Sequence, residues 1–415
     1  MRVLFATYAE TTHYYNMVPL AWALRTAGHE VRVATQPALM DAVVQSGLTA
    51  VQVGEDHDFM SVIAAKADDP TWGERITTAL RTGGADMDYP ALLAFFDEAV
   101  ETSAKVFNDP MVDALVAYAR DWQPDLIIWE NFTLAGAIAA RATGAAHARL
   151  LWGADAQTRI YNRFRALLAK QPEDRRRDPM RDWAAAHLER FGVSYDADVL
   201  TGQYTLDQAP QSMRLDVGLR TVPFRYVPYN GPARVPGWLR ERPERPRICV
   251  TAGISMRYML GYDPIPVSAL KLFGDADVEV VATLAADESD LVDLPPNVRV
   301  VNFVPMHALL PSCAAVVHIG SAGVVSTAMA YGVPQLTLVP DLWDAIVRAD
   351  MLREQGAGLD LTLDRATPEA IRDNVLRLVR EPEFRAAAGR IRGEMLAEPA
   401  PNDVVPVLEK IAAQR

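Results

Sequence analysis

The stretch AAVVHIGSAGVVSTAMAYGVPQLTLV, residues 314–339, contains a strand, a glycine-rich turn, a helix and a second strand. The apolar run that ends at His318 predicts a buried strand, and GSAG, residues 320–323, predicts a turn that opens a helix. Glycines at such a turn let the backbone approach a ligand closely, and the helix N-terminus presents free N–H groups. The pattern predicts a parallel α/β sheet with a metal-free diphosphate site, to which His318 adds a hydrogen bond or charge. A turn that serves only packing is the alternative.

Strand and helix signals alternate on both sides of this stretch. Short apolar runs predict strands at RVLFA, EVRVA, TAVQV, DLIIW and AHARLL in the N-terminal half, and at RICVT, VEVVAT, VRVVNF, AAVVH and QLTLV in the C-terminal half. Helical patterns lie between them, as at residues 17–27, and a last helical tract runs from Pro368 to the C-terminus. This alternation predicts two tandem, doubly wound Rossmann-like domains with a cleft between them.

The composition indicates where these domains divide. Residues 158–211 read as helical and charged, and a cluster of prolines between residues 223 and 246 is typical of a linker. We therefore expect a first domain over residues 1–229, a linker over 230–246 and a second domain over 247–395. The remaining residues, 396–415, are expected to form a C-terminal helix that packs back on the first domain.

Composition and charge argue against several classes of protein. Half of the 415 residues are apolar and 23% are charged, with a net charge of −12. This net charge argues against nucleic-acid binding, because a phosphate backbone needs a basic face. No apolar stretch approaches the length of a membrane span and the N-terminus lacks a signal-peptide pattern, so we expect a cytoplasmic protein. Cys249 and Cys313 lie beside strand-like sequence and are predicted to be buried free thiols.

Two polar side chains follow the ends of predicted N-terminal strands. His13 lies in the polar, aromatic segment after the first strand, where an imidazole can take a proton at neutral pH; a surface or capping His is the alternative. Glu130 ends DLIIWE, where a carboxylate can orient an imidazole, although position alone favours a charge near a helix N-terminus. Ligands of open α/β sheets bind at the carboxyl ends of strands, so both residues are candidates.

No motif points to a metal or a bound cofactor. The dinucleotide fingerprint GxGxxG is missing after the first strand. The Asp-x-Asp triples at residues 56–58, 196–198 and 275–277 fit the surface of an acidic chain better than a Mg²⁺ or Mn²⁺ site. We therefore expect neither metal nor cofactor. Asp341 and Asp344, in VPDLWDA, are suited either to accept hydrogen bonds from sugar hydroxyls or to cap a helix.

Together these motifs resemble a known family. His13 in the first loop, the strand-end Glu130 and HIGSAGVVSTAMAYGVPQ are similar to the inverting glycosyltransferases of the GT-B fold. A closer resemblance is to the branch that attaches deoxysugars to antibiotic polyketides, such as the macrolide desosaminyl and mycaminosyl transferases. It is carried by VPLAWALRTAGHEVRVATQPAL, PDLIIWE, ARLLWG, YNGP, VPMHALLP, WDAIVRA and MLAEP, and it spans essentially the whole chain. It implies metal-independent, inverting transfer from a TDP-deoxysugar to a hydroxyl of a macrolide or aromatic aglycone.

The resemblance also implies a role for each motif residue. The first domain would bind the acceptor, with His13 as the base for its hydroxyl and Glu130 as the acid that orients His13. The second domain would bind the nucleotide sugar through Ser255, Val304, His318, Gly320, Ser321, Ala322, Gly323, Val324 and Asp344. The acceptor pocket would be lined by Tyr14, Tyr15 and Trp152, with packing as the alternative for the two tyrosines.

The chain departs from the family pattern at four positions. Ile319 and Ser321 stand where a second His and a second Gly are usual, Val324 replaces a hydroxyl residue, and Ala345 replaces a Gln. The last change fits a deoxysugar donor, which offers fewer hydroxyls. The altered glycine motif keeps open a non-catalytic nucleotide-sugar-binding protein, and the shared fold keeps open a nucleotide-sugar 2-epimerase.

Partners are implied by the same resemblance. Several members of the branch need a helper protein that looks like a cytochrome-type monooxygenase without its haem. The segment 158–211 carries Ile160, Phe164, Leu167 and Leu168 on one helical stripe, which would be a docking surface if exposed and a packing surface if not. A homodimer stays open, and the sequence does not specify the sugar, the aglycone or attack through oxygen rather than carbon.

Overall fold

The computed structural model describes residues 1–66, 69–254, 265, 267–285, 291–340 and 344–414. The chain divides into two units. The first contains Met1–Gln208, Leu215–Arg225 and Pro399–Arg415, and the second contains Ala209–Arg214 and Tyr226–Glu398. Residues 230–246, where the prolines predict a linker, belong to the second unit.

A seven-stranded parallel sheet forms the centre of the first unit, in the order β3-β2-β1-β4-β5-β6-β7. Its strands are β1 Arg2–Ala6, β2 Glu30–Thr35, β3 Thr49–Gln52, β4 Leu126–Glu130, β5 Ala146–Leu150, β6 Tyr204–Asp207 and β7 Thr221–Pro223. Every residue of β4 and β5 is buried, as expected for strands covered by helices on both faces. Because β1 and β4 are neighbours, residues that follow them meet at the same edge of the sheet.

The described α-helices of the first unit connect and cover these strands. They are Thr11–Tyr15, Val18–Thr26, Met40–Gln45, Phe59–Lys66, Pro70–Thr82, Tyr89–Ala99, Lys105–Trp122, Leu134–Thr143, Ala156–Leu168, Pro179–Arg190, Asp198–Thr201 and Val405–Ala413. The helix Lys105–Trp122 packs on Leu134–Thr143 and buries Phe107, Met111 and Leu115 in the main core. The last helix packs against β5, and its Glu409 pairs with His29 (Oε1–Nε2 3.1 Å).

A six-stranded parallel sheet forms the centre of the second unit, in the order β10-β9-β8-β11-β12-β13. Its strands are β8 Arg247–Thr251, β9 Glu279–Thr283, β10 Val298–Val300, β11 Cys313–His318, β12 Gln335–Val339 and β13 Gly358–Thr362. The described α-helices are Met306–Leu309, Ala322–Tyr331, Ala345–Glu354, Pro368–Arg380 and Pro382–Ala397. The central strands β8 and β11 are neighbours, so the turns after them lie side by side.

The doubly wound α/β architecture predicted from the sequence is confirmed, with a difference at one segment. Residues 158–211, predicted to be helical, also contain the strand β6. Gly202, with φ +78°, ends the preceding helix, and a Cβ there would lie 2.5 Å from the Tyr204 carbonyl oxygen, so the chain turns too tightly to continue as a helix. The short runs of β6, β7 and β13 give weak periodicity and were not predicted as strands.

Candidate functional site

The first cluster of functional side chains forms where β1 and β4 end. His13 lies in the single-turn helix Thr11–Tyr15, which Glu10 caps by accepting from the Thr12 N–H. His13 Nδ1 is 3.0 Å from Oε1 of Glu130, the last residue of β4. Two residues 117 positions apart are thus joined because their strands are neighbours in the sheet. The structure places the two side chains of the predicted catalytic pair in contact.

Glu130 is a fully buried carboxylate whose two oxygens have different partners. Oε2 accepts hydrogen bonds from the Phe132 N–H (2.9 Å) and from the Thr133 hydroxyl (3.1 Å). Oε1 faces His13. A buried carboxylate is costly unless it is hydrogen-bonded, and here one oxygen is held by the chain while the other is directed at the imidazole.

Tyr8 completes this cluster and was missed by sequence reasoning. Its hydroxyl lies 3.2 Å from His13 Nδ1, and its ring stacks on Phe107 with centroids 4.3 Å apart. Burial raises the pKa of the Tyr8 hydroxyl well above its ordinary value, and the nearby Glu130 and Glu10 carboxylates add to that effect. Tyr8 therefore stays protonated beside His13. Its position two residues after β1, in the same segment as His13, is the signal that could have identified it.

Aromatic rings surround the imidazole of His13. The ring of Trp152, predicted to bind the acceptor, lies 4.6 Å from that of His13 by centroid, and Phe132 lies 6.1 Å away. Tyr15 is half-buried, and its acceptor role stays a prediction. Tyr14 is different: it is fully buried and its hydroxyl is 2.5 Å from Ser46 Oγ. The interpretation of Tyr14 as a pocket residue is therefore replaced by the packing alternative.

The second cluster forms at the glycine turn after β11. His318 ends that strand and is fully buried. Its Nδ1 accepts a hydrogen bond from the Gly320 N–H (2.9 Å), which leaves Nε2 to donate to Gln335 Oε1 (2.8 Å). Burial, with a smaller contribution from the charge of Arg348, lowers the pKa of His318 to about 4, against the opposing effect of Gln335. With this pKa His318 is neutral at pH 7, so of the two predicted contributions, a hydrogen bond or a charge, the charge is not supported.

Backbone geometry defines the shape of the same turn. Gly320 has φ +81°, and a Cβ there would lie 2.6 Å from Ala345 Cβ. Gly323, in the first turn of the helix Ala322–Tyr331, has nothing within 4 Å of where its Cβ would be. Gly253, in the turn after β8, would place a Cβ 3.1 Å from Ser321 Oγ, so the two turns adjoin. This open helix N-terminus suits an anion that binds backbone N–H groups.

The remaining predicted nucleotide-sugar residues differ in what the structure shows of them. Val324 and Val304 are buried in one apolar cluster of the second unit. Ala322 opens the helix after Ser321. Ser255 and Asp341 lie outside the described residues.

Asp344, predicted to contact the donor sugar, forms an ion pair with Arg348 one helical turn further on. Arg348 in turn donates to the Gly320 carbonyl oxygen through Nη2 (2.7 Å) and Nε (3.2 Å). Both side chains are buried. Sequence reasoning missed Arg348, although the Asp–Arg spacing of four residues in a predicted helix is a signal for such a pair.

Three further expectations can be compared with the described residues. Cys249 and Cys313 are buried free thiols, as predicted. Within those residues, no group of three or more His, Cys, Asp or Glu side chains is arranged to hold a metal ion, and no helix has the length and apolar character needed to cross a membrane.

The helical stripe of Ile160, Phe164, Leu167 and Leu168 is only partly in the core. Ile160 and Phe164 are fully buried, and Phe164 packs against Phe96 with ring centroids 4.9 Å apart. Leu167 and Leu168, at the end of the same helix, are half-buried. Phe164 is therefore a packing residue, and the helper protein stays a prediction.

Comparison with known proteins identifies the family of the chain. Residues 22–253 match the model of the erythromycin biosynthesis protein CIII-like N-terminal domain, and residues 268–411 match the model of the corresponding C-terminal domain. The chain belongs to the erythromycin biosynthesis protein CIII-like family. It is a glycosyltransferase, and the GT-B fold and the family resemblance found in the sequence are confirmed.

Several relatives match over the full chain. The chain is 47% identical to the 10-deoxymethynolide desosaminyltransferase of Streptomyces venezuelae, covering 100% of this chain and 98% of that protein. It is 44% identical to the aclacinomycin-T 2-deoxy-L-fucose transferase of Streptomyces galilaeus, over 100% and 97%. Among solved structures, the glycosyltransferase VinC in complex with dTDP superposes with a TM-score of 0.87 at 41% identity and full coverage of both chains. The spinosyn forosaminyltransferase SpnP gives 0.84 at 39% identity, covering 100% of this chain and 99% of that one.

Proposed function

We propose that this glycosyltransferase moves a deoxysugar from a TDP-sugar to a hydroxyl of a polyketide aglycone, macrolide or aromatic, with inversion at the anomeric carbon. The observation that carries the proposal is the contact of His13 Nδ1 with the buried Glu130 carboxylate at the ends of neighbouring strands. The relatives named above transfer deoxysugars to macrolide and anthracycline aglycones, and VinC was crystallised with dTDP.

His13 serves as the base in this proposal. The Glu130 carboxylate favours the tautomer with the proton on Nδ1, which leaves the lone pair on Nε2. Nε2 takes the proton of the acceptor hydroxyl as its oxygen bonds to the anomeric carbon, and the bond from that carbon to the diphosphate oxygen breaks. A single displacement of this kind inverts the anomeric carbon. The imidazolium formed is stabilised by the adjacent carboxylate.

The diphosphate leaves from the glycine turn of the second unit. Backbone N–H groups and the positive end of the dipole of the helix Ala322–Tyr331 stabilise its growing charge without a metal. His318, neutral and doubly hydrogen-bonded, holds the turn in place rather than supplying charge. The helper protein implied by the resemblance remains a proposal, and the buried Phe164 is not available to contact it.

Purified protein incubated with a TDP-deoxysugar and a macrolide or anthracycline aglycone tests the function. The expected product is a glycoside of inverted anomeric configuration, formed equally well in EDTA. Addition of a co-encoded helper protein shows whether turnover rises. Epimerised donor without an acceptor would favour the epimerase, and TDP-sugar binding without transfer, hydrolysis or epimerisation would favour a binding protein.

A further inference from the structure

Both backbone polar groups of Gly320 are hydrogen-bonded to side chains. Its N–H donates to His318, and its carbonyl oxygen accepts two hydrogen bonds from the Arg348 guanidinium. The helix Ala345–Glu354 therefore fixes the turn by contacts of two kinds, because Ala345 also closes the space beside Gly320 Cα. These contacts fix the conformation of the residue that precedes the helix N-terminus at Ser321.

The charge of Arg348 acts on a carbonyl oxygen that would otherwise repel an anion bound at this turn. A backbone carbonyl in an anion-binding turn opposes the anion, because its oxygen is the negative end of the dipole. Two charge-assisted hydrogen bonds from one planar guanidinium fix the direction of that oxygen and offset its partial charge. A lysine ammonium, which lacks the planar fork, would not reproduce this geometry.

One carboxylate oxygen of Asp344 is engaged by Arg348. Oδ2 forms the ion pair, and both residues are less than 10% exposed. A buried guanidinium is costly without a carboxylate partner, and Asp344, four residues before Arg348, supplies one.

We propose that Arg348 is a positioning residue for the diphosphate-binding turn and that Asp344 acts through Arg348, not by contacting the donor sugar. This inference rests on the proposed function, since it takes the turn after β11 as the diphosphate site. It differs from the role that family resemblance implies for Asp344.

Ligands of increasing length distinguish the two roles of Asp344. Dissociation constants of thymidine, TDP and a TDP-deoxysugar are measured for the wild-type protein and for Asp344→Asn and Arg348→Lys. We expect Arg348→Lys to weaken the binding of TDP and of the TDP-deoxysugar by about tenfold each, the value of one charge-assisted hydrogen bond. Thymidine binding should be unchanged. Asp344→Asn is expected to weaken TDP and the TDP-deoxysugar by one common, smaller factor.

A matched control lies on the same helix. Arg353 is half-exposed and pairs with Asp350 and Asp360 on the surface, so Arg353→Lys should leave all three affinities at the wild-type value. An Asp344→Asn variant that weakens only the TDP-deoxysugar would overturn the inference, because the carboxylate would then contact the sugar. Wild-type TDP affinity in a folded Arg348→Lys variant would overturn it as well.

Failure of this inference is distinguishable from failure of the proposed function. A wild-type protein that binds no TDP would contradict the proposed function itself. A wild-type protein that binds TDP, beside variants whose thymidine affinity falls as much as their TDP affinity, would contradict only the assignment of Arg348 to the phosphate turn. If Arg348→Lys does not fold, the Asp344→Asn comparison of TDP with TDP-deoxysugar decides between the two roles.

Discussion

His13 follows β1 and His318 ends β11, each a central strand of a parallel sheet, yet the two imidazoles have different surroundings. His13 has a side chain that is 17% exposed, and its Nδ1 faces a buried carboxylate. His318 is fully buried, and its two nitrogens are taken by a backbone N–H and a neutral amide. A carboxylate partner stabilises an imidazolium, whereas a buried site with neutral partners excludes it. The comparison indicates that one imidazole is suited to proton transfer and the other to holding a turn.

Removal of His13 should have the largest effect. We expect His13→Ala to lower turnover by about 10²–10⁴-fold, the usual value of a general base, with TDP affinity nearly unchanged. Steady-state kinetics and calorimetry with TDP measure both. His29→Ala is the control, since His29 lies just before the amino end of β2 and pairs with Glu409, and it should keep wild-type turnover. A His13→Ala variant as active as the wild type would remove the distinction between the two histidines.

The pH dependence of stability tests His318. Its folded-state pKa of about 4 lies below the ordinary value of 6.5, so the folded state favours the neutral form. This contribution is fully present above pH 6.5 and is lost as the pH falls from 6.5 towards 4; the shift corresponds to about 3 kcal/mol. We expect the free energy of unfolding of His318→Gln to fall less between pH 7 and pH 4.5 than that of the wild type, in urea titrations. Parallel pH curves for the two proteins would show that His318 is not held neutral.

Glu130→Gln changes the partner of His13 while it keeps the shape of the side chain. We expect turnover to fall by roughly 10–10²-fold, because an amide neither stabilises the imidazolium nor fixes the Nδ1–H tautomer. The Michaelis constant for the donor should not change, since the proposed nucleotide site is in the other unit. Unchanged turnover would mean that the contact between His13 and Glu130 is structural, as it is for His318 and Gln335.

The two glycines of the turn are expected to separate stability from binding. Gly320→Ala should destabilise the protein by about 1–3 kcal/mol in thermal unfolding, because its positive φ and the nearby Ala345 both exclude a Cβ. Gly323→Ala, in open helical space, should leave stability unchanged or raise it by up to about 1 kcal/mol. It should nevertheless lower the affinity for TDP by about tenfold if the diphosphate contacts that backbone. Wild-type TDP affinity in Gly323→Ala would place the anion elsewhere.

The sequence was sufficient to predict residues at the ends of strands, but not how side chains pack around those ends. Alternating strand and helix signals were sufficient for the sheets, and the carboxyl-end rule selected His13, Glu130 and the glycine turn. The direction of a side chain within a single helical turn was not accessible. Successive residues differ by about 100°, so His13 faces the Glu130 carboxylate while Tyr14 enters the core.

Hydrogen-bond partners on other strands and helices could also not be predicted from the sequence. The charge state of His318 depends on Gln335, at the start of β12, and on complete burial, neither of which a strand-end position reveals. The role of Arg348 depends on a contact with a backbone carbonyl, which leaves no sequence pattern of its own. Short strands such as β7 bury too few residues to give a periodic signal.

The acceptor's own acidity tests the assignment of His13 most directly. The His13→Ala variant is assayed at pH 8 with two acceptors that the wild type glycosylates, an aliphatic alcohol and an electron-poor phenol that is already ionised at that pH. A general base is needed only when the acceptor carries a proton. We predict a loss of about 10²–10⁴-fold for the alcohol and of less than about tenfold for the phenolate. An equal loss with both acceptors would contradict the claim that His13 removes the acceptor proton.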